Sequence, residues 1–546
     1  MLNFIHVFGL VLFTLIFKYI FLKDFYFYFD DWSLFANFEE TNSIFPVFTD
    51  RPLAGLFLVL MFQIFKWNPI PYHILGAIFE IIANLTVYYV CDNLIWHNKF
   101  YSSLTVLLFL LMPGHSQQYW WITLLSLKIL LVIWLSSIYL FNKFIITNET
   151  KYLFWSSFAY GITLFWYELA ILLPLIHALL YIKFVILKIK KIDWIRLIKI
   201  FSVFSAYIFI FLLFRFTKSF GLSAQFNRSG IIGSENIFIR TQKILISTFL
   251  SYPNMDYNIG LQAFKNSHII WLSTIITSLI IVFLMITWFF TIFKYSQTSR
   301  FFTKSEYIFI FVLSIFLCLY PLIPFCLSSA WFDTRHTYLP HFGFAVLLVL
   351  MIRGLLEIVQ KLNQKGLQYA IIFIFLFCLS KPLVNNAESM IGLGTIWRQV
   401  GLDLKNYETI VKKEFPTVQP QTLFLIKDAE TLREGVPVFS GNWVVSGFFR
   451  KIYPLQKVQG DFYNAKSPDE QGQLILFKIN PDLKSILLGQ SSYLFNKIII
   501  LDGKNQLQPF SAINIKTHQG NYLKQLQTSN SNIKNSPSSI LEISIR

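Results

Sequence analysis

The sequence predicts an α-helical polytopic membrane protein of about eleven transmembrane helices, followed by a C-terminal soluble α/β domain. Three observations carry this reading. The 546 residues are 55% hydrophobic and only 14% charged, whereas soluble domains carry about a quarter of their residues as charges. Apolar runs such as Ile269–Phe293, Ser305–Phe325 and Leu339–Leu356 each approach the ~20 residues needed to cross a bilayer core. Beyond residue 385 the composition turns polar and the apolar runs shorten. Because a lipid-facing backbone must satisfy its own hydrogen bonds, the long runs are read as helices.

The apolar runs and their breaks place spans near 3–22, 71–91, 100–113, 121–141, 152–167, 169–187, 194–216, 269–293, 305–326, 339–357 and 367–384. The first lacks a basic flank ahead of its apolar run and ends in aromatic residues rather than small ones, so it is expected to remain as a membrane helix. Leu53–Phe65 is also apolar, but it is about two-thirds of a span, follows Arg51-Pro52 and ends at Lys66-Trp67-Asn68-Pro69. It is expected to lie in the interface or between spans. The distribution of Lys and Arg supports that choice. With the N-terminus inside and Leu53–Phe65 not crossing, the cytoplasmic loops collect Lys99, Lys143, Lys151, Lys188, Lys190, Lys191, Arg196, Lys294, Arg300, Lys304, Lys361 and Lys365, as short cytoplasmic loops do. If Leu53–Phe65 crossed, these loops would all turn outward.

The core is therefore assigned to residues 1–385, with a large external loop at 23–70 and a second external segment at 217–268. Residues 386–546 form an extracytoplasmic soluble domain, with a helix-like stretch at Trp397–Glu414 and strand-like runs at Thr422–Ile426, Leu474–Ile479 and Lys497–Leu501. Its Ser/Asn-rich end, Thr528–Ser539, has the composition of a mobile tail. The expected location is the plasma (inner) membrane with the C-terminal domain outside the cytoplasm.

A formal net charge of +17 raises nucleic acid as a partner. The basic residues sit in short clusters between apolar runs, however, which orients a membrane protein and excludes that class. Cys91, Cys318, Cys326 and Cys378 lie in or beside apolar runs without CxxC spacing, so neither a disulfide framework nor a zinc site is expected.

Charges near hydrocarbon are costly unless used or paired, and the topology gathers several on the external face. Asp30 and Asp31, in Tyr28-Phe29-Asp30-Asp31-Trp32 after the first span, can divide roles, one accepting a proton or holding a divalent cation (Mg or Mn) while the other supports it. They can equally cap a helix. Arg51, in Thr49-Asp50-Arg51-Pro52-Leu53, offers a fork of donors to a phosphate or snorkels to headgroups. His115 and Gln118 belong to the aromatic turn Pro113-Gly114-His115-Ser116-Gln117-Gln118-Tyr119-Trp120-Trp121. Glu168 sits in the tight break Trp166-Tyr167-Glu168. Arg335, His336 and Tyr338 precede a span in Trp331-Phe332-Asp333-Thr334-Arg335-His336-Thr337-Tyr338. There a phosphate site competes with a local Asp333–Arg335 pair and a surface histidine. Neither His115 nor His336 belongs to an HExxH spacing.

Taken in order, these landmarks resemble the GT-C superfamily of membrane glycosyltransferases, and within it the protein O-mannosyltransferase-like and bacterial polyprenol-sugar-dependent members. The resemblance spans roughly residues 1–385. It rests on Asp30-Asp31 opening the loop after the first span, Arg51-Pro52-Leu53 heading a short helix and Pro71-Tyr72-His73 starting the next span. It continues through Met112-Pro113 leading into Gln118-Tyr119-Trp120-Trp121, Glu168 with Pro174, and Arg335 with Tyr338. Two departures stand out: Leu53–Phe65 is more apolar than the family's amphipathic helix, and no Trp-Trp-Asp signature of oligosaccharyltransferases is present.

The resemblance implies inverting transfer of a single sugar, hexose or pentose, from a polyprenyl-phosphate-linked donor to a glycan, lipid or protein acceptor on the non-cytoplasmic face. Under it Asp30 is the general base and Asp31 its support. Arg51, Arg335 and His336 meet the donor phosphate, and Glu168, His115, Gln118 and Tyr338 surround the sugar or acceptor. A polytopic transporter or lipid-linked-sugar flippase is the competing class. Such proteins are commonly built from repeats with charges near mid-membrane, whereas no repeat is visible here.

Overall fold

A computed structural model describes residues 2–41, 51–187, 194–219, 237–267, 275, 278, 302–327, 332–362, 364–420, 422–427, 429–463, 475–477, 497–502, 508–514 and 541–543. Helices dominate. They run over Leu2–Tyr19 (α1), Asp30–Thr41 (α2), Pro52–Phe65 (α3), Pro69–Val90 (α4), Lys99–Leu110 (α5), Ser116–Trp120 (α6), Leu125–Thr147 (α7), Thr150–Trp166 (α8) and Leu173–Leu187 (α9). Further along come Trp194–Ser219 (α10), Ile237–Ile246 (α11), Tyr252–Asn266 (α12), Lys304–Leu319 (α13), Ile323–Cys326 (α14), Tyr338–Gln360 (α15), Lys365–Glu414 (α16) and Asn442–Ile452 (α17).

Seven of the described helices are long and apolar enough to cross a membrane. The expected span 269–293 lies outside the described residues apart from positions 275 and 278. The helix α3 has 14 residues, about 21 Å at the usual rise, which is too short for a ~30 Å hydrocarbon core. Thr150–Trp166 has 17 residues.

One difference from the sequence reading is local and has a packing cause. The chain does not leave the helix after residue 384: α16, 50 residues long and containing Pro382, continues to Glu414. Ala387, Met390, Ile391 and Leu393 are buried, and Gly392 lies so close to α12 that a Cβ there would meet the Gly260 carbonyl oxygen at 1.8 Å. The stretch that looked like the start of a polar domain is therefore helical and packs closely on α12 at a glycine-to-glycine contact.

The chain divides into two compact units. The first comprises Met1–Lys23, Asp50–Ala54 and His73–Ile396, and the second Asp24–Thr49, Gly55–Tyr72 and Trp397–Arg546. In the first, α7 packs on α8, α13 on α15 and α5 on α15. In the second, strands Thr422–Lys427 (β1), Gln459–Tyr463 (β2), Lys497–Asp502 (β3) and Gln508–Asn514 (β4) form a sheet in the order β2-β1-β3-β4. The pairings of β1 with β2 and with β3 are parallel, and that of β3 with β4 is antiparallel. The helix α17 is the crossover between β1 and β2, and it also packs on α2.

Candidate functional site

In the first unit, Arg51 heads α3, where the following Pro52 occupies the first helical turn at no hydrogen-bonding cost. Its guanidinium meets Glu168 through both oxygens, Nε to Oε2 at 2.9 Å and Nη2 to Oε1 at 2.7 Å. It also stacks on the Tyr167 ring, 3.7 Å from the centroid. Such a fork is the strong form of an ion pair. Tyr167 is extended and ends α8, so its ring turns inward while Glu168 begins the next turn. Burial raises the Tyr167 phenol above its ordinary range, with Arg51 and Arg335 opposing and Glu168 and Asp333 reinforcing. Arg51 is thus held between the Tyr167 ring and the Glu168 carboxylate.

The segment before α15 supplies Asp333 and Arg335. Asp333 caps the short helical turn Thr334–Thr337 by accepting from the Arg335 backbone N–H at 3.1 Å. Its other oxygen lies 3.0 Å from Arg335 Nε. Burial pushes its carboxyl up, but Arg335 and His336 outweigh that and hold it below the usual range. Arg335 also lies over the Trp121 ring at 5.4 Å. His336 is buried rather than on the surface. Its Nδ1 lies 3.2 Å from both the Asp333 backbone N–H and Oδ1, and Phe325 and Phe332 flank its ring. The local Asp333–Arg335 pair that the sequence allowed is present, and His336 braces it.

The turn 113–121 is fastened to the same segment. Gln118 Nε2 donates to the Thr334 carbonyl at 2.8 Å, and Thr337 Oγ1 donates to the Gly114 carbonyl at 3.0 Å. His115 lies between Tyr119 and His341, with Nδ1 2.8 Å from the Tyr119 hydroxyl and Nε2 2.7 Å from His341 Nδ1. His341 Nε2 in turn faces the Thr248 carbonyl at 2.8 Å. A carbonyl only accepts, so His341 Nε2 carries a proton. With neutral rings, His115 then donates to His341, and the Tyr119 hydroxyl donates to His115. Burial, reinforced by His341 and Lys18, holds the His115 imidazole well below its ordinary value. Tyr338 is buried with its ring 5.1 Å from that of His115. Arg51, Glu168, Arg335, His336, Gln118, His115 and Tyr338 thus all fall in this one unit, the last five in the linked segments 113–121 and 333–341.

Asp30 and Asp31 belong to the second unit, at the start of α2. Asp31 is fully buried and its Oδ2 accepts from the Tyr28 backbone N–H at 3.0 Å. Asp30 is half-buried, and its Oδ1 accepts from the Trp443 indole at 2.9 Å. Phe29, immediately before it, is left-handed at φ 48°, a conformation costly for an aromatic residue and found where surrounding structure enforces it. The adjacent carboxylates therefore take different partners. Among the described residues no group of three or more His, Cys, Asp or Glu side chains is arranged to hold a metal ion.

No family model matches this sequence, and no curated protein does. Solved structures are similar to it, two of them of one protein. One is ArnT from Cupriavidus metallidurans bound to undecaprenyl phosphate, with 10% identity and a TM-score of 0.42, covering 90% of this chain and 92% of that one. The other is the same protein in the apo state, with 11% identity, a TM-score of 0.36 and the same coverage.

Several residues escaped the sequence reading. Tyr167 and His341 look like ordinary aromatic residues at helix ends. More consequential is a buried cluster in the helices themselves: Lys18 of α1 bonds Glu80 of α4 at 2.7 Å, and Lys128 of α7 lies 3.7 Å from the same carboxylate, all three almost fully buried. Lys128 also donates to the Tyr19 hydroxyl, and the Lys18 ammonium sits 3.4 Å over the Tyr119 ring. The signal was available, since each is an ionisable residue inside an apolar run.

Proposed function

We propose that the protein is a membrane glycosyltransferase that transfers a single hexose or pentose from a polyprenyl-phosphate-linked donor to a glycan, lipid or protein acceptor on the non-cytoplasmic face. The observation that carries this reading is the pairing of Arg51 with Glu168 and of Arg335 with Asp333, beside the ends of apolar helices. Two guanidiniums held part-exposed by carboxylates are suited to a phosphate, which can exchange with those carboxylates as a bidentate partner.

In the proposed reaction the acceptor oxygen attacks the anomeric carbon as the bond from that carbon to the phosphate oxygen breaks. The bonding pair leaves with the phosphate, where Arg51 and Arg335 stabilise the charge. The acceptor proton passes to the Asp30 carboxylate, and attack opposite the leaving group inverts the anomeric centre. Asp31, buried on a backbone N–H, supports the loop, and His336 braces Asp333 and Arg335. Asp30 being the more exposed carboxylate supports its assignment as the base.

Arg335→Ala and Arg51→Ala should each weaken binding of a polyprenyl phosphate carrying one sugar, by ~1.5–3 kcal/mol for a lost charge-assisted bond; unchanged affinity in both would remove the phosphate assignment. The Lys18–Glu80–Lys128 cluster is the one observation favouring a transporter or flippase, because such charges mark pathways. Activity in detergent separates the two, since a flippase has no membrane to cross there, whereas a transferase still converts donor into product. For orientation, a reporter inserted at Lys190 should be cytoplasmic and one fused after Arg546 external. The opposite result at both sites would mean that α3 crosses the membrane.

A further inference from the structure

A carboxylate that accepts a proton from a bound hydroxyl must be held in one orientation, and Asp30 is held by a residue 413 positions away. The helix α17 presents Trp443, Gly447, Arg450 and Lys451 at spacings of four, seven and eight, hence on one face. Gly447 is the close-approach point, since a Cβ there would lie 2.3 Å from the Trp32 backbone carbon. Arg450 reaches Glu40 at 3.4 Å. The Lys451 ammonium sits among the Tyr26, Phe27, Trp32 and Trp67 rings, 4.7–5.8 Å from their centroids, and bonds Glu408.

Docking of α17 on α2 is thus secured three times over without Trp443. Its indole instead meets the ring of Phe29 edge-on at 5.8 Å and donates to Asp30 Oδ1 at 2.9 Å. The contact falls directly after the left-handed Phe29, where the backbone most needs an external hold.

We propose that Trp443 is the positioning residue for Asp30, its indole N–H fixing the orientation of the carboxylate and favouring its ionised form. This rests on the reading of Asp30 as general base, but the contact can be tested apart from turnover. A hydrogen bond to a carboxylate favours the charged state, so its removal makes the acid form persist to higher pH.

The test uses the full chain in detergent and couples glycine ethyl ester to Asp30 with a water-soluble carbodiimide, which reacts with the protonated acid. Labelling is read by mass spectrometry across pH. Trp443→Phe should move half-maximal labelling of Asp30 to higher pH. Arg450→Met, which removes the Glu40 contact of the same helix pair, should leave it in place. With a polyprenyl phosphate carrying one hexose or pentose, Trp443→Phe should lower kcat about 10-fold with donor KM unchanged. Trp443→Met, apolar and without a donor, serves if Trp443→Phe does not accumulate. A labelling curve unmoved by loss of the indole, or moved as far by Arg450→Met, overturns the proposal. A shifted curve together with normal transfer by Asp30→Asn leaves Trp443 as the residue that orients Asp30 and removes Asp30 from the role of base.

Discussion

With Asp30 as the proposed general base, sugar transfer should fall by at least ~10²-fold in Asp30→Asn, while affinity for the lipid-linked donor should change little. Asparagine keeps the size of the side chain, and its amide oxygen still accepts from the Trp443 indole, so the left-handed Phe29 and the start of α2 are undisturbed. What is lost is the basic oxygen that, in the proposed reaction, receives the acceptor's proton. The effect should appear in kcat, because the base acts in the bond-making step and not on the phosphate. Asp31→Asn makes the useful contrast. That carboxylate is buried on the Tyr28 N–H, so its replacement should cost protein stability and part of the rate. Transfer at the parental rate by folded, membrane-inserted Asp30→Asn would end the assignment, and normal transfer by Asp31→Asn as well would reduce the pair to a helix cap.

How much of this was legible in the sequence depends on whether a feature is local. Apolar runs located the long helices because span length is a property of consecutive residues. The shortness of α3 and its Arg51-Pro52 head were readable for the same reason. Arg51, Glu168 and Arg335 were singled out one at a time as charges near hydrocarbon, but the pairing of Arg51 with Glu168 was not legible, because it depends on how separate helices pack. The same holds for His115, which the sequence offered as a polar group in an aromatic turn. The structure makes it one link between Tyr119 and His341, and nothing local to residue 115 names residue 341.

Where sequence reasoning stopped short, the cause was a tertiary contact overriding local composition. Polar residues after 384 suggested that the helix ended, yet α16 continues and packs closely on α12 where Gly392 meets Gly260. Asp30 and Asp31 looked like one chemical pair because they are neighbours in the chain. Successive helical residues point about 100° apart, which gives one carboxylate to the buried Tyr28 N–H and the other to a tryptophan beyond the sheet's first strand. The intramembrane charges were missed for another reason: attention went to charges flanking apolar runs, and Lys18, Glu80 and Lys128 lie inside them.

That buried cluster gives the largest expected effect on stability. Lys18 and Lys128 carry two positive charges against the one negative charge of Glu80, and all three are almost wholly removed from solvent. Glu80→Gln preserves shape and one acceptor but leaves two buried ammonium groups facing each other with no counter-charge. Removing one partner of a buried pair costs roughly 3–5 kcal/mol, and here the loss also adds like-charge repulsion. Lys128→Met does the opposite, leaving a neutral Lys18–Glu80 pair at 2.7 Å, so it should be distinctly milder despite the lost bonds to Tyr19 and Gly76. Thermal unfolding in detergent should therefore rank parent, Lys128→Met and Glu80→Gln in falling order. The combination Lys18→Met with Glu80→Gln should recover part of the loss, because it deletes one of the two stranded charges. If Glu80→Gln unfolds at the parental temperature, the lysines must shed their protons or gain water, and the cluster would be a site of proton or ion exchange instead of a lock joining α1, α4 and α7.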